Sequence, residues 1–215
     1  MRRAVGSIGR LFIARHGETV FNAAARLQGA HLHTPLTRAG FAQADAMGAA
    51  IAAYLGARPA LQLWASDTGR ALQTLAIVAE HLGLDWHGAR TDARLREIDV
   101  GSWRGRYYHE VIGEAGPILD REIGLFTRQA PGGEWYDDIA RRLQGWIDDQ
   151  AGQPADRLIL MHGISSRVLR GMLTGAETRP EWRAPIAPGL PQGSLVMIED
   201  GRETVIVTGT GRSPA

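Results

Sequence analysis

The sequence predicts an α/β fold: a three-layer sandwich with a mainly parallel central sheet, helices on both faces and an inserted lid. Three observations carry this. Short apolar runs of strand length, at 10–14, 61–65 and 157–161, alternate with longer stretches whose apolar residues recur every three or four positions. The first and last of those runs lead into a His-Gly pair, His16-Gly17 and His162-Gly163. The 215 residues suit one domain of this type, spanning 1–215, with a sizeable core and no repeat or linker.

Taken in order, residues 1–9 read as a loose leader. The run from Arg10 to Ala14 is too short for a helix and ends on Arg15-His16, with Gly17 allowing a sharp turn. In an open α/β sheet ligands bind beyond the carboxyl ends of the strands, so Arg15 and His16 stand where chemistry is expected. Val20–Arg26 suits a short helix and Leu27–Thr37 a loop. His31 and His33 in that loop have no nearby carboxylate and read as pocket rim or solvated loop rather than metal ligands. Thr37 caps a helix to Leu55 with Phe41, Ala44, Met47, Ile51 and Leu55 on its apolar face, and Gly56 stops it.

Leu61–Ala65 is the second strand, and Ser66-Asp67-Thr68 supplies caps for a helix to Leu82 with Leu72, Leu75, Ala79 and Leu82 inward. Arg70 lies in the first turn of that helix, where a cation is disfavoured unless an anion binds there too. Residues 85–97 read as a short strand leading to Leu95-Arg96-Glu97. From about 100 to 135 the periodicity is poor, glycine and proline are frequent and aromatics gather, which suggests the lid. Glu134–Gln150 is amphipathic, Arg157–Met161 is a buried strand, and a helix runs from about Ile164 to Leu173. Residues 179–193 carry four prolines and read as loop, 195–198 and 204–207 as two strands, and the tail after Thr208 as disordered.

Composition narrows the chemistry. There is no cysteine, which excludes disulfides, thiolate metal sites and cysteine nucleophiles. There is no lysine either: all 24 basic side chains are arginine, which excludes Schiff-base chemistry and a P-loop lysine but favours bidentate phosphate recognition. A net charge of +1 gives no footprint for nucleic acid or a membrane surface, and no apolar run approaches a bilayer span. Without a signal-peptide core, a cytoplasmic location is expected.

Four segments then share one pattern: Arg15-His16-Gly17-Glu18-Thr19-x-x-Asn22; Ser66-x-x-x-Arg70-Ala71-x-x-Thr74; Leu95-x-Glu97-x-x-x-Gly101-x-Trp103-x-Gly105; and His162-Gly163. In this order they resemble the histidine phosphatase superfamily, in its phosphoglycerate mutase-like branch, over residues 10–175. Gly163 stands where the phytase-like branch has its aspartate proton donor, so the acid falls to Glu97. There are departures. His33 lies near a usual aspartate, Arg104 replaces a frequent glutamate, and Trp135 a usual serine, which narrows the pocket, offers a stacking surface or only packs the lid.

The resemblance implies phosphomonoester hydrolysis through a phosphohistidine, on a small phosphorylated substrate, without metal or cofactor. The catalytic set is His16, Glu97, Arg15, Arg70 and His162. Arg15, Asn22, Arg70, His162 and the amides after Gly163 bind phosphate. His16 attacks while neutral, its other ring nitrogen donating to a backbone carbonyl. Glu97 protonates the departing alkoxide, a role expected to need burial beside the dianion. Glu18 is a structural partner of its loop and Asp99 the local rival of Glu97. A phosphoglycerate mutase is the first alternative, disfavoured by the missing lysine and paired-arginine segment. A non-catalytic phospho-ligand binder is the second. Homodimers are common in the family, so that assembly is compatible with the chain.

Overall fold

The computed structural model describes residues 8–211. Strand β1 (Leu11–Arg15) leads through α1 (Val20–Ala23) to α2 (Arg38–Leu55), β2 (Leu61–Ala65), α3 (Gly69–Leu82) and a two-residue β3 (Arg90–Thr91). Then come α4 (Tyr108–Ala115), β4 (Leu119–Asp120), β5 (Leu125–Phe126), α5 (Tyr136–Gln150), β6 (Asp156–Met161) and α6 (Gly163–Thr174). A small hairpin, β7 (Thr178–Arg179) and β8 (Ala184–Pro185), precedes β9 (Leu195–Glu199) and β10 (Arg202–Val207).

The main sheet has the order β10-β9-β1-β6-β2-β3. From β1 to β3 every pairing is parallel, and β9 and β10 close the other edge antiparallel. Alternation along β1 explains the layers. Leu11 and Ile13 face one way, into a core shared with Ile139, Leu143 and Trp146 of α5 and Val168 and Leu169 of α6. Phe12 and Ala14 face the other way, against Met47 and Ile51 of α2 and Leu75 and Val78 of α3. Both faces of the sheet are therefore dry, as a parallel sheet requires.

Several expectations are corrected. Phe41 is 45 % exposed, because the inward stripe of α2 runs through Gly40, Ala44, Met47 and Ile51 and leaves Phe41 at its edge. At Gly40 the helix approaches the Glu18 carbonyl so closely that an added Cβ would overlap its oxygen. The predicted strand in 85–97 shrinks to Arg90–Thr91 between two 3₁₀ turns, and the proline-rich loop holds the β7–β8 hairpin. The segment from about 100 to 135, read as an inserted lid, packs tightly: Trp103, Val111, Ile118, Leu125 and Phe126 are all buried in the core with α5 and α6 residues. Gly209 N–H donates to Ser194 Oγ (2.9 Å) and Gly211 N–H to the Gln192 carbonyl, so the tail is tied down at least to Gly211; residues 212–215 lie outside the described residues. Of the expected leader, Ile8 and Gly9 pack at the sheet end, where the Ile8 carbonyl accepts from buried Arg157, and 1–7 lie outside the described residues. Among the described residues no helix is long and apolar enough to cross a membrane.

Candidate active site

Three adjacent parallel strands, β1, β6 and β2, deliver the candidate residues to one end of the sheet. His16 follows β1, His162 follows β6, and Ser66 to Arg70 follows β2. The imidazoles of His16 and His162 meet edge to face with centroids 5.1 Å apart. Gly17 is needed for close approach, since a Cβ there would meet the Gly40 carbonyl at 2.3 Å. Its N–H donates to Thr74 Oγ1 (3.2 Å), which ties the turn after His16 to α3. Glu18 has the structural role expected: Thr37 Oγ1 donates to its carboxylate (2.7 Å) and Thr37 N–H to its carbonyl.

His16 Nδ1 lies 2.7 Å from the Gly17 carbonyl, so Nδ1 carries the proton and Nε2 keeps its lone pair. His162 is held at both nitrogens. Arg70 Nε donates to Nδ1 (3.1 Å), so the proton sits on Nε2, which donates to Ser66 Oγ at 2.6 Å. Ser66 Oγ in turn lies 3.0 Å from Thr68 Oγ1. Of the three residues read as supplying helix caps, Ser66 and Thr68 serve the site instead, and Thr68, at the N-cap of α3, makes no side-chain cap bond. Arg70 is fully buried. Its Nη1 donates to the His31 carbonyl (2.6 Å) and Thr34 Oγ1, and its Nη2 to the Gly29 carbonyl. The loop at 29–34 thus serves through its carbonyls and a hydroxyl.

Arg15 lies over Gly163, where an added Cβ would come within 3.2 Å of the guanidinium carbon. Its Nη1 donates to the Leu190 carbonyl (2.5 Å), while its buried Nε has no hydrogen-bond partner among the described residues. Asn22 Oδ1 accepts from Thr19 N–H (3.1 Å), and its amide nitrogen has no acceptor among the described residues. Glu97 corrects one expectation. Its Oε1 accepts from the amides of Ile98 (2.9 Å) and Ser165 (3.0 Å), and its Oε2 from Ile164 (3.0 Å). The first amides of α6 after Gly163 are therefore taken by a carboxylate of the protein and are not open to phosphate.

The electrostatics suit an anion. Burial pulls the Arg15 and Arg70 guanidiniums down to about 10, opposed by nearby Glu97, so both are charged at neutral pH. Neither makes an ion pair among the described residues. Burial, then the charge of Arg70, holds both His16 and His162 well below the ordinary histidine range, which keeps the two imidazoles neutral.

The family model of the histidine phosphatase superfamily, branch 1, matches residues 11–208. The chain belongs to that superfamily. It is similar to a probable phosphoglycerate mutase of Yersinia pestis, 30% identical over 177 residues that cover 81% of this chain and 79% of the relative. It is also similar to a mycobacterial glucosyl-3-phosphoglycerate phosphatase solved with VO3, at TM-score 0.71 and 26% identity over 93% of this chain and 98% of that one. The alpha-ribazole phosphatase of Shigella flexneri shares the fold, with TM-score 0.71 and 22% identity over 94% of this chain and 96% of that one.

Within this histidine phosphatase fold, the departures from the family pattern separate. Trp135 is buried against Tyr136 and donates Nε1–H to the Glu181 carbonyl, so it packs the base of α5. Arg104 makes a two-point contact with Asp99 (2.7 and 2.8 Å), which engages the rival carboxylate. Among the described residues no group of three or more His, Asp or Glu gathers as a metal site. Sequence reasoning missed Arg167, which is 7 % exposed and lines the same cleft as Arg15 and Gly163. Its spacing of four from Gly163 was the available signal. It also missed Tyr108, whose phenol is pushed up to about 12 by burial and then by Glu97.

Proposed function

We propose that the protein hydrolyses phosphomonoesters through a phosphohistidine formed on His16. The observation that carries this is the His16 ring: Nδ1 engaged by the Gly17 carbonyl and Nε2 free of any partner among the described residues, under the charge of buried Arg15 and Arg70. A neutral imidazole held in that tautomer is a ready nucleophile. Arg15 and Arg70 neutralise the phosphate dianion, with Asn22 adding a neutral donor, so the reading needs no metal. The Nε2 lone pair forms the P–N bond as the ester P–O bond breaks. The departing alkoxide takes a proton from Glu97, whose Oε2 accepts only one amide and has room to carry it. Water then attacks phosphorus, Glu97 takes its proton, and the P–N bond breaks to restore neutral His16. In this state His162 has no proton free for the phosphate, so its part is to hold the Arg70 guanidinium.

The mycobacterial neighbour is named a phosphatase and the Yersinia relative a probable mutase. Both names support phosphoryl transfer from small organic phosphates. Hydrolysis is favoured over the mutase reaction because the chain has no lysine and no counterpart of the mutases' paired arginines. The test is turnover on a panel of small phosphomonoesters in chelator, quenched in alkali and mapped. Acid-labile phosphate on His16 is expected. Label on His162, full activity in His16→Ala, a requirement for divalent metal, or efficient primer-dependent interconversion of phosphoglycerates would each overturn the proposal.

A further inference from the structure

The segment 187–193, Ala-Pro-Gly-Leu-Pro-Gln-Gly, runs past Arg15 between β8 and β9. The amides of Gly189, Leu190 and Gln192 donate to no backbone carbonyl among the described residues. Its carbonyls anchor it instead, and three of them take a buried arginine each. Ala187 accepts from Arg167 Nε (2.8 Å), Pro188 from Arg170 Nη1 (2.9 Å) and Leu190 from Arg15 Nη1 (2.5 Å). We propose that Arg167 is a positioning residue for Arg15: it fixes this strap, and the strap's Leu190 carbonyl aims the Arg15 guanidinium at the phosphate. The inference rests on the reading of Arg15 as a phosphate ligand.

Arg15 needs such an aim. Among the described residues the Leu190 carbonyl is the one acceptor of its side chain, and its Nε is left without a partner. A long side chain held at one point turns when that point moves, and a misplacement of about 1 Å can cost about a hundredfold in rate. The amides around Leu190 supply no anchor, so its carbonyl is placed by the contacts just upstream.

Arg167 is the stronger of those contacts. Besides the bond from its Nε, its own carbonyl accepts from Ala187 N–H (2.9 Å), so the two residues hold each other at two points. Gly189 lies along the guanidinium, where an added Cβ would be 3.6 Å from Nη1. That Nη1 donates to the Ile123 carbonyl (2.7 Å), which ties the same fork to the β4–β5 hairpin. A planar guanidinium spans two such directions at once, and a point-like ammonium does not. Arg170 is committed elsewhere: its Nε and Nη2 both donate to Glu203 (2.7 and 2.6 Å), which leaves one contact with the strap.

The test is a double-mutant cycle read as affinity for inorganic phosphate, by phosphorus NMR titration, so that binding is measured without turnover. Arg167→Gln should weaken phosphate about tenfold when Arg15 is present. In an Arg15→Ala background it should change affinity by less than about twofold, because a residue that acts through Arg15 has nothing left to position. Arg167→Lys completes the set and carries the cycle if Arg167→Gln does not fold. It keeps the charge and loses the fork, so it should weaken phosphate nearly as much as Arg167→Gln. Three results overturn the proposal: the same loss in both backgrounds, no loss in either, or full rescue by Arg167→Lys, which would assign the effect to charge alone. Ester hydrolysis by the wild type with an additive cycle leaves the phosphatase reading standing and refutes the positioning role. Phosphate binding without hydrolysis, with a coupled cycle, does the reverse.

Discussion

His162 is fixed from both sides of its ring, by Arg70 Nε and by Ser66 Oγ. Ser66→Ala leaves a buried N–H with no acceptor, which costs about 1–3 kcal/mol. Chemical denaturation should show that loss, and kcat/KM should fall about tenfold or more as the ring that holds Arg70 loses its anchor. Ser66→Cys, with a weak sulfur acceptor, should fall between. Glu97 gives a second test at this scale. Removing the acid should cost about 10²–10⁴-fold on an alkyl phosphate, whose alkoxide leaves only with a proton, and far less on nitrophenyl phosphate. Glu97→Gln is not silent otherwise, because its amide nitrogen must face one of three backbone N–H donors. That local disturbance is shared by both substrates, so the ratio of the two losses isolates the proton. Equal losses would show that Glu97 only orders the start of α6.

At the scale of elements, the start of α6 and the turn after β1 are fitted to each other through glycine. Gly163 leaves room for the Arg15 guanidinium, and Gly17 and Gly40 let the turn cross the first turn of α2. A second scaffold comes from α5. Arg142 Nε donates to Glu134 (2.9 Å), the other Glu134 oxygen accepts from Asp99 N–H (2.9 Å), and Arg142 Nη2 donates to the Glu97 carbonyl (3.3 Å). That bracket holds Glu97 against α6. Gly163→Ala should therefore leave the melting temperature close to wild type, since alanine suits a helix better than glycine. It should lower kcat/KM about tenfold to a hundredfold by moving Arg15. Kinetics and thermal melts on the same preparation check the split. A variant that melts early but reacts normally would refute it.

For the whole molecule, two buried neutral histidines make stability depend on pH. Both are held well below the ordinary histidine value in the folded protein, and both return to about 6.5 when unfolded. Below 6.5 the unfolded chain binds protons that the native one refuses. The stabilisation is thus fully present above 6.5 and is lost as pH falls, by about 1.4 kcal/mol per unit for each histidine. Denaturation at pH 7.5, 6 and 5 should show this slope, and His16→Gln should remove about half of it. Stability independent of pH in that range would mean that the two rings titrate normally.

What the sequence determined by itself was whatever depends on near neighbours in the chain. The period of two in β1 and of three to four in α2, α3, α5 and α6 reports which residues face the sheet. Motif order placed His16 and His162 at strand ends and Arg70 at the start of the helix after a strand, and three neighbouring parallel strands put them together. The tertiary structure alone decided where polar groups find their partners. Ser66 looks like a cap locally, yet its partner is 96 residues away. The amides of α6 look free for phosphate, yet Glu97 reaches them across 67 and 68 residues. Phe41 fits the helical period yet stays exposed, while Gly40 beside it packs against Glu18. Arg167 is one arginine of 24 until the fold buries most of it beside Arg15 and Gly163. Apolar burial needs only a face and is written in periodicity, whereas a hydrogen bond or a charge needs one particular partner, and that partner is chosen by the fold.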